Sequence, residues 1–127
     1  MSPMERTGLL VFAHGARDPR WAEPFERLRH KVEAACPGVP VALAYLELMA
    51  PDLPGAADAL VAAGCRALRV VPVFLGQGGH VRGDLPDLLA AVSARHPAVR
   101  LEILPAVGEN DLVLQKIAEV CVSELPT

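Results

Sequence analysis

The chain has 127 residues, of which 52% are hydrophobic and 21% are charged, and its formal net charge is −3 at pH 7. This length suits one domain with its own core, and this composition excludes an intrinsically disordered chain. The slightly acidic balance, with no stripe of Lys and Arg, argues against a nucleic-acid partner. No apolar run approaches the roughly 20 residues that cross a bilayer, so we expect no membrane partner either.

The spacing of the cysteines and the first residues of the sequence indicate the cellular compartment of the protein. Cys36, Cys65 and Cys121 are widely spaced and form no C-x-x-C pattern, which favours reduced thiols. The first apolar run is too short, and too soon interrupted by His14, to be a signal peptide. We therefore predict a cytoplasmic protein whose residues 1–127 form a single domain.

Four short apolar runs alternate with four amphipathic segments along the chain. The apolar runs predict strands at residues 8–13, 41–46, 67–75 and 99–104. The amphipathic segments predict helices at about residues 19–36, 51–63, 84–96 and 109–125. This alternation favours an α/β fold with a single open, mainly parallel four-stranded sheet and helices on both faces.

Some of these elements carry more specific expectations. The third strand is rich in β-branched residues and should be buried on both faces, whereas the alternation of charged and apolar residues makes the fourth an edge strand. Asp18 and Asp84 should cap the first and third helices, because a proline follows each of them closely. The fourth helix should turn Val113, Ile117 and Val120 inward.

Three polar side chains directly follow three of the predicted strands: those of His14, Glu47 and His80. Neighbouring strands lie about 4.8 Å apart and their carboxyl ends share one edge of a parallel sheet, so these side chains can converge. Two imidazoles and a carboxylate suit a divalent first-row metal, and three protein ligands leave positions open for a substrate. We predict a shared metal or acid–base site at this edge.

A simpler interpretation exists for each of these residues. A single histidine or glutamate after a strand is usually a solvated loop residue, and it is the arrival of all three at strand ends that favours a common site. Two other histidines fit solvated side chains better than ligands. His30 lies beside charged residues on a helix face, and His96 lies near a helix end.

The groups around the two candidate histidines indicate an anionic ligand. Arg17 and Arg82 follow them closely, and they are either surface charges or guanidinium partners for the carboxylates of a substrate. Gly78 and Gly79 carry no Cβ and let the backbone approach a ligand. A phosphate cradle is a weaker alternative, because the G-x-x-x-x-G-K-[ST] pattern is absent.

Short motifs at these positions resemble a known family. FAHGAR at residues 12–17, YLE at 45–47, VPVFLGQGGHV at 71–81 and DLP at 84–86 match the order and separation of motifs in short-form, CbiX-type class II chelatases. The resemblance runs from Leu9 to Leu125 and makes the chain similar to sirohydrochlorin cobaltochelatases and ferrochelatases. Ala16, where the family often has serine, and residues 108–111 depart from the family pattern, which bears on substrate contacts more than on the reaction.

The resemblance implies an enzyme, a lyase that inserts Co²⁺, Fe²⁺ or Ni²⁺ into sirohydrochlorin for cobalamin or sirohaem synthesis, without an organic cofactor. It implies that His14, Glu47 and His80 bind the metal and that the two histidines also accept the pyrrole protons. A neutral imidazole can accept a proton near neutral pH. The short members of the family resemble a homodimer that builds its cleft between subunits, so a homodimer is also implied.

Two other functions could use the same residues. A metal-delivery protein would hold cobalt, nickel or iron there but would not speed insertion into a tetrapyrrole. A phosphohydrolase would use His14 as a nucleophile and Arg17 to hold phosphate. Phosphohistidine enzymes of the mutase type usually have arginine directly before the histidine, and Ala13 in that place weakens this alternative.

Overall fold

The structure, a computed structural model, describes residues 6–76 and 79–126, although not the side chains of residues 79–82. The strands are β1 (Thr7–Ala13), β2 (Val41–Tyr45), β3 (Ala67–Pro72) and β4 (Arg100–Ile103). The helices are α1 (Glu23–Ala35), α2 (Leu53–Ala62), α3 (Gly79–Arg95) and α4 (Asp111–Ser123), and 3₁₀ turns at Pro19–Ala22 and Val107–Glu109 precede α1 and α4. The strands form one parallel sheet in the order β2-β1-β3-β4, which confirms the predicted α/β fold.

The element boundaries differ from the predictions mainly around the glycine-rich loop. β3 ends at Pro72, three residues before its predicted end, and α3 begins at Gly79, five residues before Asp84. Pro86 therefore lies inside α3, where it cannot donate a hydrogen bond to the carbonyl four residues earlier. The prediction that Asp84 caps this helix is wrong, because the helix contains the proline instead of starting at it.

Two aspartates cap the starts of other elements, and Asp18 does so as predicted. The Asp18 carboxylate accepts a hydrogen bond from the backbone N of Arg20 at 2.9 Å and opens the turn that precedes α1. The Asp52 carboxylate accepts one from the backbone N of Gly55 at 2.8 Å, at the N-terminus of α2. Both side chains satisfy donors that a helix start leaves without an internal partner.

Asp52→Ala should lower the free energy of unfolding by about 1 kcal/mol, because a backbone donor at the start of α2 loses its acceptor. Denaturation in urea measures the change. Asp52→Asn is the matched control, since it keeps an oxygen acceptor and should lose less. Equal losses in the two variants would show that the hydrogen bond to Gly55 is not the cause.

The main core lies on one face of the sheet, under α2 and α3. Leu10, Phe12, Ala44 and Val70 are fully buried strand residues of this core. At the surface, the Asp58 carboxylate of α2 accepts a hydrogen bond from Arg95 at 2.6 Å and contacts the His96 Nε2 at 2.7 Å. His96 is therefore a partly buried residue that joins two helices, and the prediction that it is solvated is wrong. His30 is exposed on α1, as predicted.

The opposite face of the sheet is covered only in part. The apolar stripe of α1 packs there on a smaller buried cluster, which consists of Val11, Ala13, Leu43 and Tyr45. No residue of α1 is itself buried. On β3, Arg69 is exposed and Val71 is only partly buried on this side. The prediction that the third strand is buried on both faces is therefore wrong, because α1 does not reach across to β3.

The fourth helix does not pack on the sheet in the predicted way. Ile117 is 40% exposed and Val120 is 57% exposed, so the prediction that they turn inward is wrong; Val113 is partly covered. No residue of α4 is buried. The helix packs mainly on the Val107–Glu109 turn that precedes it, and this packing leaves its apolar side chains away from the main core.

β4 lies at one edge of the sheet, as predicted from its sequence. Arg100 and Glu102 are exposed there, and Glu102 pairs with Arg69 of β3 at 3.3 Å. Within the described residues, the helices are too short or too polar to cross a membrane.

Candidate functional site

His14 and Glu47 are neighbours at the carboxyl edge of the sheet. The β1–β2 pairing continues past both strands, because Leu46 N donates to Ala13 O at 2.8 Å and Glu47 N donates to His14 O at 3.1 Å. His14 is partly buried, and Glu47 is exposed. The parallel pairing thus places two of the three predicted ligand positions side by side.

Gly15 makes this close approach possible. Its φ is +92°, and a Cβ at this position would collide with the carbonyl oxygen of Glu47. One residue beyond Glu47, Leu48 has a φ of +67°, which is rare for a residue with a bulky side chain. Backbone strain of this kind concentrates at ligand sites, and here it lies in the loop that carries Glu47.

The His14 imidazole packs against an aromatic ring from the loop that follows β3. Its centroid lies 4.4 Å from that of the Phe74 ring, and the two planes are inclined by 51°. Phe74 is 4% exposed, and its ring centroid lies 5.8 Å from that of Phe12 in an edge-on arrangement. This packing supports the imidazole on one side and leaves His14 partly open to solvent.

The turn after β4 closes the same edge of the sheet. Gly108 N donates to the carbonyl of Phe74 at 2.9 Å, and a Cβ at Gly108 would overlap the backbone of Leu75. The Glu109 carboxylate accepts a hydrogen bond from Ala106 N at 3.1 Å, which holds this turn in shape. The start of the loop after β3 is therefore held between the end of β1 and the turn before α4.

The other predicted site residues lie along the same edge or outside the described part of the chain. Arg17 is exposed in the loop after His14. Gly79 is the first residue of α3, which follows β3 and so emerges at this edge. Gly78 and the side chains of His80 and Arg82 lie outside the described residues.

The described side chains do not form a complete metal site by themselves. Among them, no three His, Cys, Asp or Glu residues lie close enough together to hold a metal ion. The predicted set of His14, Glu47 and His80 includes a side chain that is not described, so this set stays a prediction.

The described part of this edge can nevertheless support binding chemistry. The backbones of His14 and Glu47 pair there, and an imidazole and a carboxylate are groups that can bind a divalent cation or exchange a proton. Leu48 and Leu75, each one residue beyond a site residue, are 55% and 65% exposed and provide apolar surface. The described edge therefore carries an imidazole, a carboxylate and exposed apolar side chains.

Comparison with protein families identifies the chain. The model of the CbiX family matches residues 8–123, which include all four strands except Thr7 of β1, and all four helices. The chain belongs to the CbiX family. The match spans His14, Glu47 and His80.

Curated relatives of this CbiX-family chain are named as metal chelatases. A sirohydrochlorin cobaltochelatase of Methanothermobacter thermautotrophicus is 33% identical over 86 residues, which are 66% of this chain and 58% of that protein. A sirohydrochlorin ferrochelatase of Bacillus subtilis is 26% identical over 113 residues, which are 88% of this chain and 43% of that protein. The chain thus spans less than two thirds of the length of these relatives.

Two solved structures share the CbiX-family fold, one in a chain of similar length and one in a longer chain. A putative cobalamin (vitamin B12) biosynthesis CbiX protein from Marinobacter aquaeolei VT8 is 30% identical with a TM-score of 0.82, and the match covers 93% of this chain and 96% of that one. SirB from Bacillus subtilis with Fe³⁺ is 24% identical with a TM-score of 0.80, and the match covers 95% of this chain but 48% of that one. The second likeness concerns the fold alone, and it shows that this fold also occurs within a chain of about twice the length.

Three residues that shape the edge were not predicted from the sequence: Gly15, Phe74 and Gly108. Glycine directly after a histidine at a strand end, and glycine just after the last strand, are signals that could have identified two of them. Phe74 gives no such signal, because a phenylalanine at a strand end is usually a core residue and only the packing shows its contact with His14.

Proposed function

We propose that this chain is a metal chelatase that inserts Co²⁺ or Fe²⁺, with Ni²⁺ as a further candidate, into sirohydrochlorin. The product would serve cobalamin or sirohaem synthesis. The observation that carries the proposal is the CbiX-family match over residues 8–123, together with His14 and Glu47 side by side at the carboxyl edge of the sheet. The metal is a substrate of this reaction, and the proposal needs no organic cofactor.

The chemistry requires a metal carrier and a proton acceptor at the same place. His14 and His80 would hold the incoming ion and accept the two pyrrole protons in turn, since a neutral imidazole can do both near neutral pH. Glu47 would offset part of the metal's charge before the ion passes to the ring nitrogens. The support for this assignment is the shared edge of His14 and Glu47, and the position of α3 directly after β3.

The substrate is a broad, flat ring edged with carboxylates, and the edge offers matching groups. We assign Arg17 and Arg82 to the carboxylates, because guanidinium groups match their geometry. Gly78 and Gly79 would allow the backbone to approach the ring. Leu48 and Leu75 add exposed apolar surface beside the metal-binding residues.

We further propose that the active form is a homodimer. A macrocycle of this size is large for one four-stranded sheet, and the fold of this chain matches 48% of the double-length SirB chain. A second copy would supply the missing half of a cleft, and two identical copies usually pair through the same surface. A cytoplasmic location, without membrane or nucleic-acid partners, stays a prediction supported by the three free cysteines.

The proposed activity can be tested by following the absorbance of sirohydrochlorin with Co²⁺, Fe²⁺ or Ni²⁺. We expect the protein to accelerate insertion of at least one of these ions over the rate without protein. His30→Ala, on an exposed part of α1, is the control variant and should act like the unchanged protein. Tight metal binding without any acceleration would instead indicate a metal-delivery protein, and hydrolysis of a phosphate ester lost in His14→Ala would indicate a phosphohydrolase.

A further inference from the structure

Leu48 combines a strained backbone with an exposed apolar side chain. It is the one non-glycine residue of the described chain with a positive φ, +67°. In this left-handed conformation the Cβ comes too close to the following carbonyl oxygen, and leucine has no polar group that could form a compensating local hydrogen bond. Its side chain is 55% exposed and belongs to neither of the two buried clusters. Packing within the described chain therefore does little to offset the strain.

The loop around Leu48 explains the backbone conformation but not the choice of leucine. Tyr45 N donates to Pro51 O at 2.9 Å, and this hydrogen bond closes the loop at its base. Leu46 packs on the main core, whereas Met49 packs on the cluster on the opposite face of the sheet, so the chain crosses between faces at Leu48. A left-handed residue allows such a crossing, but glycine or asparagine would adopt this conformation with less strain. The leucine side chain must be explained by something else.

The position of Leu48 places it beside the candidate metal-binding residues. It directly follows Glu47, whose backbone N donates to His14 O at 3.1 Å. The exposed Leu75 follows β3, on the other side of β1 in the strand order β2-β1-β3. Since neighbouring strands lie about 4.8 Å apart, the ends of β2 and β3 are separated by roughly 10 Å. Exposed leucines therefore follow both strands that flank the end of β1, where His14 lies.

A flat apolar ligand at this edge would account for a leucine at residue 48. Ligands of open parallel sheets bind outside the carboxyl ends of the strands, which is where Leu48 lies. A tetrapyrrole carries carboxylates at its rim but has an apolar surface on each face, and such a surface is bound by apolar side chains. Asparagine, which the backbone would accept with less strain, would suit water or a charged ligand instead.

We propose that Leu48 is a specificity-determining residue whose side chain contacts the apolar face of the tetrapyrrole. The inference rests on the chelatase function proposed above, and it adds a residue that recognises the ring itself. The loop holds Leu48 in place before the ligand arrives, because its base is hydrogen-bonded and its flanking residues pack on both faces of the sheet. Few groups are then ordered on binding, which favours affinity.

Leu48→Asn tests the contact, because asparagine has nearly the size of leucine and tolerates the left-handed conformation. The KM for sirohydrochlorin should rise by at least about 10-fold, the factor expected when a large apolar side chain no longer covers its ligand. The kcat should change by less than about threefold, since the contact is made equally before and during metal insertion. Leu48→Met is the matched control: it keeps an apolar side chain on the same strained backbone, and its KM should stay within about twofold of that of the unchanged protein.

Binding of metal-free sirohydrochlorin can be measured separately from the reaction. Trp21 is the single tryptophan of the chain, and the bound tetrapyrrole should quench its fluorescence by energy transfer. The dissociation constant should rise by at least about 10-fold in Leu48→Asn and should hardly change in Leu48→Met or in the distant His30→Ala.

The stability of two glycine variants distinguishes ligand binding from a structural role. Leu48→Gly should keep or raise the midpoint of urea denaturation, because glycine adopts this φ freely, and should still weaken sirohydrochlorin binding. Leu75→Gly should lower the midpoint, since Leu75 has no positive φ to relieve and glycine adds freedom to the unfolded chain. A clear loss of stability in Leu48→Gly, together with unchanged binding, would make Leu48 a structural residue and overturn the proposal.

The remaining outcomes separate this inference from the chelatase proposal. If the unchanged protein binds sirohydrochlorin and inserts metal, but Leu48→Asn does both equally well, the role of Leu48 is wrong and the chelatase function stands. If Leu48→Asn weakens self-association in sedimentation while KM is unchanged, the side chain contacts a second copy, which also overturns the proposal. An unchanged protein that neither binds sirohydrochlorin nor inserts metal would overturn both.

Discussion

His14→Ala and His80→Ala should each lower the rate of metal insertion into sirohydrochlorin by about 10²- to 10⁴-fold, the range expected when a proton acceptor is lost. Each change also removes a proposed metal ligand, so the apparent affinity for Co²⁺ or Fe²⁺ should fall along with the rate. The absorbance assay measures the first effect, and calorimetric metal titration measures the second.

The His14→Ala substitution should leave the fold intact. The His14 side chain is only partly buried, and its described ring contact is with Phe74. Its loss should cost little stability, and added imidazole should restore part of the rate if the missing group acts as a base or ligand. His30→Ala should leave both rate and affinity unchanged. Insertion by His80→Ala at nearly the rate of the unchanged protein would rule out the role assigned to that residue.

Gly15→Ala should lower the free energy of unfolding by about 2–5 kcal/mol, as the sum of a left-handed backbone conformation and a steric clash. The φ of Gly15 is +92°, and the new methyl group would collide with the carbonyl oxygen of Glu47, a backbone atom that cannot rotate away. The two loops would have to separate, so the insertion rate should fall as well. Denaturation in urea and the absorbance assay measure the two effects.

Gly38→Ala is the matched control for this prediction. Its φ is +87°, close to that of Gly15, but a Cβ there would meet no described atom within 4 Å. This variant should therefore lose only the conformational part, about 1–2 kcal/mol, and should keep its activity. Equal losses at the two positions would show that the approach of Gly15 to Glu47 contributes nothing of its own.

The sequence predicts the sheet well because strand and helix patterns are local. The four apolar runs and the alternation with amphipathic helices are sufficient to predict a parallel sheet, and Asp18 acts at the predicted helix start. Because the carboxyl ends of parallel strands share one edge of a sheet, the sequence also predicts that His14 and Glu47 lie on the same edge. Their backbones do pair there.

The errors concern features that depend on distant parts of the chain. Pro86 predicts a helix start near residue 84, whereas α3 begins seven residues before the proline, at Gly79. The apolar pattern of α4 predicts that Ile117 and Val120 pack against another element. It does not show whether that element belongs to the same chain. Likewise, the contact of Phe74 with His14 joins two strand ends that are 60 residues apart in the sequence.

The short fourth strand has a consequence for how copies of this chain can associate. Four residues, with charged Arg100 and Glu102 among them, make a poor template for a strand from another molecule. Growth of a continuous sheet from molecule to molecule is thus disfavoured along this border. Contacts through the faces of the sheet, by contrast, can close into finite assemblies when a twofold axis relates the two molecules.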